Sequence, residues 1–310
     1  MSESDSITIV VPPELDGERA DRIVAITAGV SRALARRIIE AGDAVGIGAP
    51  SVRLNAGTEF AVRLPAPDLE LQPEQVPFDV AYESPDVLVV MKPAGIAVHP
   101  GAGRHEGTLA NGLVARFPEL AGLGESYRWG LVHRLDRDTS GLLMVARTAA
   151  AHRELQAELK ARRIGRTYLA LAAGKFDAST GTIDAPIGRD PRHPTRMSAR
   201  IDGRPARTHY RRLAEWADVT LLEVTLETGR THQIRVHLAS IGAPLVGDRT
   251  YGSGLTTAGD PGRVWLHAAK LRFPDPGSGQ EVVVEAPLPS DLRHSFEALG
   301  SPLRGERPRN

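Results

Sequence analysis

The residues with the clearest chemical potential lie in one segment, residues 130–148. A single carboxylate, Asp136, stands there between two arginines, Arg134 and Arg137, and apolar runs lead into and out of this polar stretch. Apolar flanks around a charged loop are a common way for a rigid scaffold to present a catalytic side chain. Because a neighbouring cation favours the ionised form of an aspartate, Asp136 is a candidate nucleophile or acid–base group.

Two other interpretations of this segment stay open from the residue types alone. Asp136 and Asp138 form a D-x-D pair, and a spacing of two places both carboxylates on one side of an extended strand, where they could share a cation. The residues from Asp138 to Gly141 are turn formers, so the segment could also be only a structural loop. Catalysis, metal binding and a turn are all compatible with the pattern.

Composition limits the class of protein that could carry this segment. The 310 residues are enough for about two domains. The chain has no cysteine, which excludes disulfides, thiolate chemistry and cysteine-bound metal sites. No apolar run approaches the ~18 residues of a membrane span, and the acidic N-terminus lacks the basic and apolar regions of a secretory signal. We therefore expect a cytoplasmic enzyme.

Charge is unevenly distributed along the chain. The formal net charge is zero, which taken alone argues against a nucleic-acid-binding protein. From Arg189 to Arg212, however, there are eight arginines and only two aspartates, whereas residues 1–70 carry seven arginines and eleven acids. Positive charge is thus concentrated in the middle of the chain. The cluster is compatible with a solvated loop or with a surface that binds a polyanion.

The elements that must position these residues begin with a small N-terminal domain, predicted over residues 12–66. Helices are predicted over Arg19–Ala28 and Ser31–Ala41, with Ser31 as an N-cap and Gly42 as the stop. Strands are predicted over Ala44–Ile47 and Thr58–Leu64.

This N-terminal pattern is similar to a known RNA-binding module. Two helices, a turn and a small sheet, with the run from Ser31 to Gly42, resemble the S4 RNA-binding domain, and they would also fit a generic helical hairpin. The resemblance implies that Arg32, Arg36 and Arg37 contact RNA.

A second, larger domain is predicted over residues 78–299. Four prolines between residues 65 and 77 predict a linker over 67–77, because proline removes backbone donors and disfavours a helix before it. Beyond it, strands dominate and do not alternate strictly with helices, which favours an α+β fold with a mixed or antiparallel sheet. Strands are predicted over 86–91, 142–146, 166–172, 208–213, 219–226 and 264–272, and helices over 108–116, 149–162, 231–241 and 290–299. The polar residues 300–310 are predicted to be a disordered tail.

Four stretches of the chain, in order, resemble the RluA/RluD family of pseudouridine synthases. They are KPAG at 92–95 with HP at 99–100, HRLD at 133–136, RTY at 166–168, and ETGRTHQIRVH at 227–237, which PLVGD at 244–248 and YG at 251–252 follow. The second and fourth stretches are long and specific. The resemblance runs from residue 15 to residue 290, and residues 193–210 are most similar to the RluD branch.

The resemblance implies a role for each residue of the site. Asp136 is the catalytic aspartate, and Arg235 is the basic residue that pairs with it. Tyr168 packs on the uracil and takes part in removing the proton from C5. Arg230 and His232 of the fourth stretch contact the RNA.

The implied reaction converts uridine in RNA, above all in large-subunit ribosomal RNA, to pseudouridine. It breaks the C1′–N1 bond and joins C1′ to C5 of the same base, so no cofactor or metal is expected. A stacked uridine must be flipped out to reach a buried carboxylate, at a cost of roughly a few kcal/mol. The resemblance implies that Arg134 enters the RNA stack and helps to displace the base, which suits a side chain whose plane stacks on bases.

The sequence leaves alternative functions for comparison. One is a catalytically idle S4-type RNA-binding or ribosome-assembly factor. Another is a metal-dependent glycosyl transferase or hydrolase built on Asp136 and Asp138. Transfer RNA is an alternative substrate to ribosomal RNA, and a monomer is the expected state.

Overall fold

The computed structural model describes residues 6–30, 32–63, 71–100, 106–121, 123, 129–193, 196–252 and 259–305. The chain falls into two compact units, an N-terminal and a C-terminal unit, divided between Glu70 and Leu71. Within the described residues, no helix is both long and apolar enough to cross a membrane.

The regular elements of the described residues are as follows. The helices are α1 (Ala20–Thr27), α2 (Arg32–Glu40), α3 (Leu109–Arg116), α4 (Ala149–Lys160), α5 (Gln233–Ser240) and α6 (Ser290–Glu297), with short 3-10 turns at Pro13–Leu15 and Pro118–Leu120. The strands are β1 (Ser6–Val10), β2 (Glu18–Arg19), β3 (Arg53–Leu54), β4 (Glu59–Arg63), β5 (Asp79–Glu83), β6 (Val87–Lys92), β7 (Ser140–Ala146), β8 (Gly165–Ala173), β9 (Thr180–Asp184), β10 (Ile187–Arg189), β11 (Met197–Ala199), β12 (Arg207–Glu215), β13 (Val219–Leu226), β14 (Leu266–Pro274), β15 (Glu281–Glu285) and β16 (Arg304–Gly305).

The N-terminal unit encloses a small core of its own. Strands β1 and β4 pair antiparallel, as do β2 and β3. In α2 the apolar positions Ala35, Ile38 and Ile39 are buried, and the arginines on the other face are exposed. This is the three–four spacing of an amphipathic helix, so the hydrophobic pattern explains why both helices were predictable.

One predicted strand of this unit is wrong. Of the stretch 44–47, only Ala44 forms an isolated bridge, to Val62. Gly46 has a φ of 83°, a left-handed conformation that ends extended backbone and makes a turn there. The predicted N-cap Ser31 lies outside the described residues.

The strands of the C-terminal unit form one ten-stranded sheet, apart from the separate β10–β11 hairpin. Its order is β16-β12-β13-β8-β14-β7-β6-β5, and β15 pairs with β14 while β9 pairs with β12. Strands β7 and β14 are parallel, and the other pairs are antiparallel. The predicted α+β fold with a mixed sheet is therefore confirmed. Six strands of this unit were not predicted: β5, β9, β10, β11, β15 and β16.

The core of the C-terminal unit covers both faces of the sheet. Ala170 and Ala172 of β8 pack in one cluster with α3 and α5, whereas Leu171 packs on the opposite face with Trp265 and α6. Strands β6 and β7 are buried along nearly their whole length. Burial on two faces explains why these strands are continuous apolar runs and do not alternate.

Two predicted boundaries need correction. Residues 71–77 belong to the C-terminal unit, because Leu71 packs on its core and Asn111 of α3 donates to the carbonyl of Gln72 at 2.9 Å. The predicted tail is wrong for residues 300–305, since β16 pairs with Ala214 and Glu215 of β12. An edge strand offers unpaired backbone groups, and these partners order a segment whose composition alone suggests disorder. Residues 64–70 and 306–310 lie outside the described residues.

Candidate active site

Strand register places Tyr168 beside the loop that carries Asp136. Ala268 of β14 pairs with Gly141 of β7 on one side and with Tyr168 of β8 on the other. Asp136 stands four residues before the start of β7. Two stretches that are far apart in the sequence therefore meet at one end of the central strands.

The Asp136 loop is fixed from one side by a buried lysine. Lys92 is 1% exposed, and its ammonium donates to the carbonyls of Pro93 at 2.7 Å and of Ile96 and Arg137 at 2.9 Å. The amide of Gly95 also donates to the carbonyl of Arg137, at 2.9 Å. Burial lowers the pKa of Lys92 to about 7, against the opposing charges of Asp138 and Asp136. The lysine of the first motif thus ties its own loop to the loop that carries Asp136.

An arginine holds the same loop from the other side. Arg263 donates to the carbonyl of Asp138 at 3.1 Å and to the hydroxyl of Ser140 at 3.2 Å. Its guanidinium is in turn paired with Asp291 of α6 at 2.6 Å. Since both contacts fall within four residues of Asp136, the backbone around the carboxylate is restrained at several points.

The Asp136 carboxylate pairs with an arginine that a second carboxylate anchors. Arg235 of α5 contacts Asp136 Oδ2 through Nη1 at 3.3 Å. The same guanidinium forms a bidentate pair with Asp248, with Nε at 2.7 Å and Nη2 at 2.9 Å from the two carboxylate oxygens. A bidentate pair fixes the plane of a guanidinium, so Arg235 presents its remaining N–H to Asp136 in a defined direction.

Burial and charge act in opposite directions on this arginine and its anchor. Burial alone lowers the pKa of Arg235, but the hydrogen bonds and charges of Asp248 and Asp136 outweigh it and raise that pKa. Burial alone raises the pKa of Asp248, but Arg235 and the amides of Tyr251 and Thr250 lower it overall. Both groups therefore stay charged at neutral pH.

His232 and Tyr251 form the neighbouring wall. His232 Nε2 lies 4.0 Å from Asp136 Oδ1, and His232 Nδ1 lies 2.8 Å from the Tyr251 hydroxyl. The amide of Met197 donates to that hydroxyl at 3.0 Å, so the hydroxyl can use its own proton to donate to Nδ1 when the ring carries its proton on Nε2, the nitrogen nearer Asp136. Burial lowers the pKa of His232, so the ring is neutral at pH 7.

The backbone at His232 has an uncommon conformation. Its φ is 57°, in the left-handed region, at the residue that precedes α5. Non-glycine residues adopt this region rarely and often at functional sites. The turn directs the His232 ring towards Asp136, a placement that sequence spacing alone does not indicate.

Tyr168 lies in the floor of the site. It is 5% exposed and shares the β8 face with Ala170. Burial raises the pKa of its hydroxyl, the charge of Arg166 lowers it, and the charge of Asp136 raises it further. The predicted catalytic set of Asp136, Tyr168 and Arg235 is thus brought together around one place.

The predicted RNA contacts have more varied positions. Arg134 is exposed, and its charge acts on His232, so it lies at the rim of the site. Arg230 is partly buried and donates to the carbonyl of Pro205 at 3.1 Å. The three arginines of α2 belong to the N-terminal unit, where Arg32 pairs with Asp21, Arg36 pairs with Glu40, and Arg37 is exposed.

The D-x-D pair does not act as one unit. Asp138 accepts two hydrogen bonds from Arg137, at 3.1 and 3.3 Å, whereas Asp136 pairs with Arg235. Among the described residues, no group of three or more histidine, cysteine, aspartate or glutamate side chains is arranged to hold a metal ion.

Sequence reasoning gave no role to Asp248, Tyr251, Lys92 or Arg263. The sequence does contain one signal for two of them: the stretch 244–252, which includes Asp248 and Tyr251, continues the fourth motif. The motif alone does not indicate what these residues contact. Its contacts depend on a turn that folds back on α5, where Asp248 also accepts the amides of Thr250 and Tyr251 at 2.9 and 3.1 Å.

Part of the arginine-rich stretch lies next to the site. The β10–β11 hairpin contributes Met197, which packs with Tyr251. Four arginines of the stretch pair with acids: Arg200, Arg207, Arg211 and Arg212. Arg192 and Arg196 of the hairpin loop are exposed and form no ion pair with the described residues.

Several known proteins are similar to this chain in sequence and in fold. The family described as RNA pseudouridylate synthase matches residues 86–240. An uncharacterized RNA pseudouridine synthase of Chloroflexus aurantiacus is 48% identical over 297 residues, which cover 94% of this chain and 93% of that protein. Ribosomal large subunit pseudouridine synthase D of Xanthomonas campestris is 43% identical over 309 residues, which cover 94% of this chain and 91% of that protein.

A solved structure supports the same assignment. Human RNA pseudouridylate synthase domain containing 1 superimposes with a TM-score of 0.60 at 31% identity, over 76% of this chain and 92% of that chain. The matched family, the relatives and the Asp136 site agree. The chain therefore belongs to the RluA/RluD family and is an RNA pseudouridine synthase.

Proposed function

We propose that this enzyme converts uridines of large-subunit ribosomal RNA to pseudouridine, with Asp136 as its catalytic carboxylate. The observation that carries the proposal is the Asp136–Arg235 pair, which stands beside Tyr168 at the end of the central strands. The choice of RNA is supported by relatives named ribosomal large subunit pseudouridine synthase D, from Xanthomonas campestris and Nitrosomonas europaea. Such a substrate makes the cytoplasm the proposed location.

The reaction sets clear demands on the site. The C1′–N1 bond breaks, C1′ is joined to C5, a proton leaves C5 and a proton is taken up at N1. The site must therefore supply a carboxylate at the ribose or base, a fixed partner for its charge, and an acceptor for the C5 proton.

Asp136 meets the first two demands. Its side chain is 16% exposed, so substrate can reach it, and Arg235 holds one of its oxygens. The other oxygen, Oδ1, is 4.0 Å from His232, beyond hydrogen-bond range, and is thus available to a substrate. The short bonds from Arg235 go to Asp248, so the guanidinium orients Asp136 without covering it.

Tyr168 meets the third demand. An aromatic face in the floor of the site provides a surface on which the uracil can stack, and the hydroxyl is a proton acceptor in its ionised form. Among the described residues the hydroxyl makes no hydrogen bond, so it is not committed elsewhere.

Arginines at the rim of the site provide contacts for the phosphate backbone of the RNA and for its stacked bases. Arg134 is exposed two residues before Asp136, where it can fill the space that a flipped uridine leaves. Arg230 stands at the start of the helix α5 region, and Arg192 and Arg196 extend the positive surface along the hairpin. A phosphate backbone contacts such cations in a sequence-independent, salt-sensitive manner.

We assign the N-terminal unit an RNA-binding role of the S4 type. Its two helices and small sheets enclose a separate core, and α2 exposes Arg32, Arg36 and Arg37 on one side. This arrangement supports the unit as a second point of attachment to the RNA, which would add to the affinity of the C-terminal unit.

The test compares Asp136→Asn with Asp138→Asn, a neighbouring carboxylate that pairs with Arg137. We expect Asp136→Asn to form no pseudouridine in ribosomal RNA and to retain RNA binding, whereas Asp138→Asn remains active. Activity in Asp136→Asn would contradict its assignment. Pseudouridine mapping in total RNA of a deletion strain and its parent identifies the substrate, and a difference confined to transfer RNA would contradict the ribosomal target.

A further inference from the structure

Arg166 is a buried cation without a partner. It is 7% exposed, its Nε is enclosed without an acceptor, and within the described residues its guanidinium forms no hydrogen bond or ion pair. Arginine is almost never so deeply buried unless it is paired, because an isolated charge in a low-dielectric interior is strongly unfavourable. Burial accordingly lowers the pKa of Arg166. A cation kept in such a place indicates an anion that forms only at some step.

The surroundings of Arg166 identify the group that could become that anion. Arg166 and Tyr168 are two residues apart in β8, and their side chains share one face of the sheet. The other titratable group close to Arg166 is His133, whose pKa burial lowers to about 3 and whose Nε2 accepts the amide of Met144 at 3.2 Å. A neutral histidine cannot compensate a cation, whereas Tyr168 can once its hydroxyl is ionised.

Gly229 allows this close packing. A Cβ atom at that position would lie 2.8 Å from Nη1 of Arg166, so a larger residue in the loop that leads to α5 would require the end of the arginine side chain to shift. The glycine of the fourth motif therefore packs against the end of the Arg166 side chain, which is 7% exposed. The same side chain belongs to the face of β8 that carries Tyr168.

We infer that Arg166 is a positioning residue that acts through Tyr168: its charge stabilises the phenolate form of Tyr168, the form that accepts the C5 proton. The inference rests on the proposed function, in which Tyr168 receives that proton. Once C1′ is joined to C5, the C5–H bond breaks and its electron pair forms the C5–C6 double bond, while the C6–N1 double bond of the intermediate opens and leaves its electron pair on N1. The proton moves to the phenolate oxygen, N1 takes up a proton, and Tyr168 later releases its proton to solvent.

The groups that face Tyr168 are few. Arg166 acts from its own strand and Asp136 from the motif loop, and they act on the Tyr168 pKa in opposite directions. The flanking strands place Val224 and Ala268 opposite Tyr168, neither of which titrates. Without Arg166, both burial and Asp136 would oppose ionisation, so the phenolate would be rarer at every pH below its pKa.

The first experiment measures single-turnover rates of RNA isomerisation against pH for Arg166→Gln, Arg166→Met and Arg166→Lys. An adjacent opposite charge changes the ionised fraction of a group by about tenfold or more, so the neutral variants should be at least about tenfold slower at neutral pH. In these variants the increase of the rate with pH should occur at higher pH than in wild type, because Tyr168 ionises later. Arg166→Lys should keep much of the wild-type rate, since it keeps the positive charge. The exposed Arg153→Gln in α4 is the matched control.

The second experiment needs no RNA. The five tyrosines are replaced biosynthetically by 3,5-difluorotyrosine, whose phenol ionises at lower pH, and fluorine NMR follows each ring through a titration. The Tyr168→Phe variant identifies the Tyr168 signal. We expect Arg166→Gln and Arg166→Met to move its ionisation to higher pH, and the other signals to stay.

These readouts separate the possible outcomes. An unchanged Tyr168 ionisation in folded neutral variants would refute the inference. A weaker RNA affinity with unchanged ionisation would also refute it and would assign Arg166 to an RNA phosphate. If the wild-type enzyme formed no pseudouridine while the fluorine titration shifted as expected, the proposed function would fail and the Arg166–Tyr168 coupling would stand.

Discussion

Asp248 offers a sharp test of how Asp136, the proposed catalytic carboxylate, is positioned. Its side chain is fully buried and holds Arg235 through two bonds, at 2.7 and 2.9 Å, while Asp136 accepts a single bond at 3.3 Å. In Asp248→Asn the shape is kept, but the amide presents a donor to a guanidinium that has only donors. We expect Arg235 to lose its bidentate anchor and to turn towards Asp136, its remaining carboxylate.

The magnitude follows from the burial of this pair. Removing one partner of a buried ion pair costs about 3–5 kcal/mol, and the retained amide oxygen places Asp248→Asn near the lower end, about 3 kcal/mol. For a domain of this size, each kcal/mol lowers Tm by about 2–4 °C, so a decrease of roughly 6–12 °C is expected. Because a small misplacement of a catalytic group can reduce the rate about 100-fold, a comparable loss of kcat is expected.

The assay combines thermal unfolding with single-turnover isomerisation. Glu285→Gln is the matched control, since Glu285 pairs with Lys270 at the surface and its side chain is 67% exposed. An exposed pair contributes at most about 1 kcal/mol, so this variant should resemble wild type in Tm and in rate. A wild-type Tm and kcat in Asp248→Asn would refute the view that Asp248 anchors Arg235.

Two further predictions concern buried charges elsewhere in the fold. Lys92→Met leaves the carbonyls of Pro93 and Ile96 without a donor and the carbonyl of Arg137 with only the Gly95 amide, so we expect about 3 kcal/mol of destabilisation in urea unfolding. The loss of kcat should exceed the loss of RNA affinity, because the Asp136 loop loses a tether. In the N-terminal unit, hydrogen bonds from Arg19 and Arg32 lower the pKa of the buried Asp21 from 3.8 to about 2. This ionised pairing stabilises the folded unit by about 2 kcal/mol above pH 4, and the contribution is lost as the pH falls towards 2. Hydrogen exchange of residues 6–30 in the full chain should therefore be faster in Asp21→Asn than in wild type at pH 6, and similar in both near pH 2.

Local patterns explain which elements could be predicted from the sequence. Helix α2 has apolar residues at three–four spacing, and its observed bounds differ little from the predicted ones. Segments whose structure depends on a distant partner were missed. Strand β16 forms only because β12 offers it an edge, and the stretch 44–47 turns at Gly46 despite its apolar residues.

The site divides in the same way. Asp136, Tyr168 and Arg235 could be named because each belongs to a stretch that resembles a known family, but spacing in the sequence does not reveal their geometry. That geometry depends on Ala268, which pairs with strands β7 and β8 at once. Register between non-neighbouring segments is set by packing across the whole sheet, so no local pattern predicts it.

The charges of the site form a graded arrangement rather than a set of equal pairs. Arg235 is shared by two carboxylates, and the buried Asp248 receives its short bidentate contact while Asp136 receives a single longer one. Arg235 therefore interacts more strongly with Asp248 than with Asp136. If Arg235 bound Asp136 as tightly as it binds Asp248, both carboxylate oxygens would be occupied and no oxygen would be free for the substrate. The inequality of the two contacts is therefore what lets one arginine orient Asp136 and still leave one of its oxygens open to a substrate.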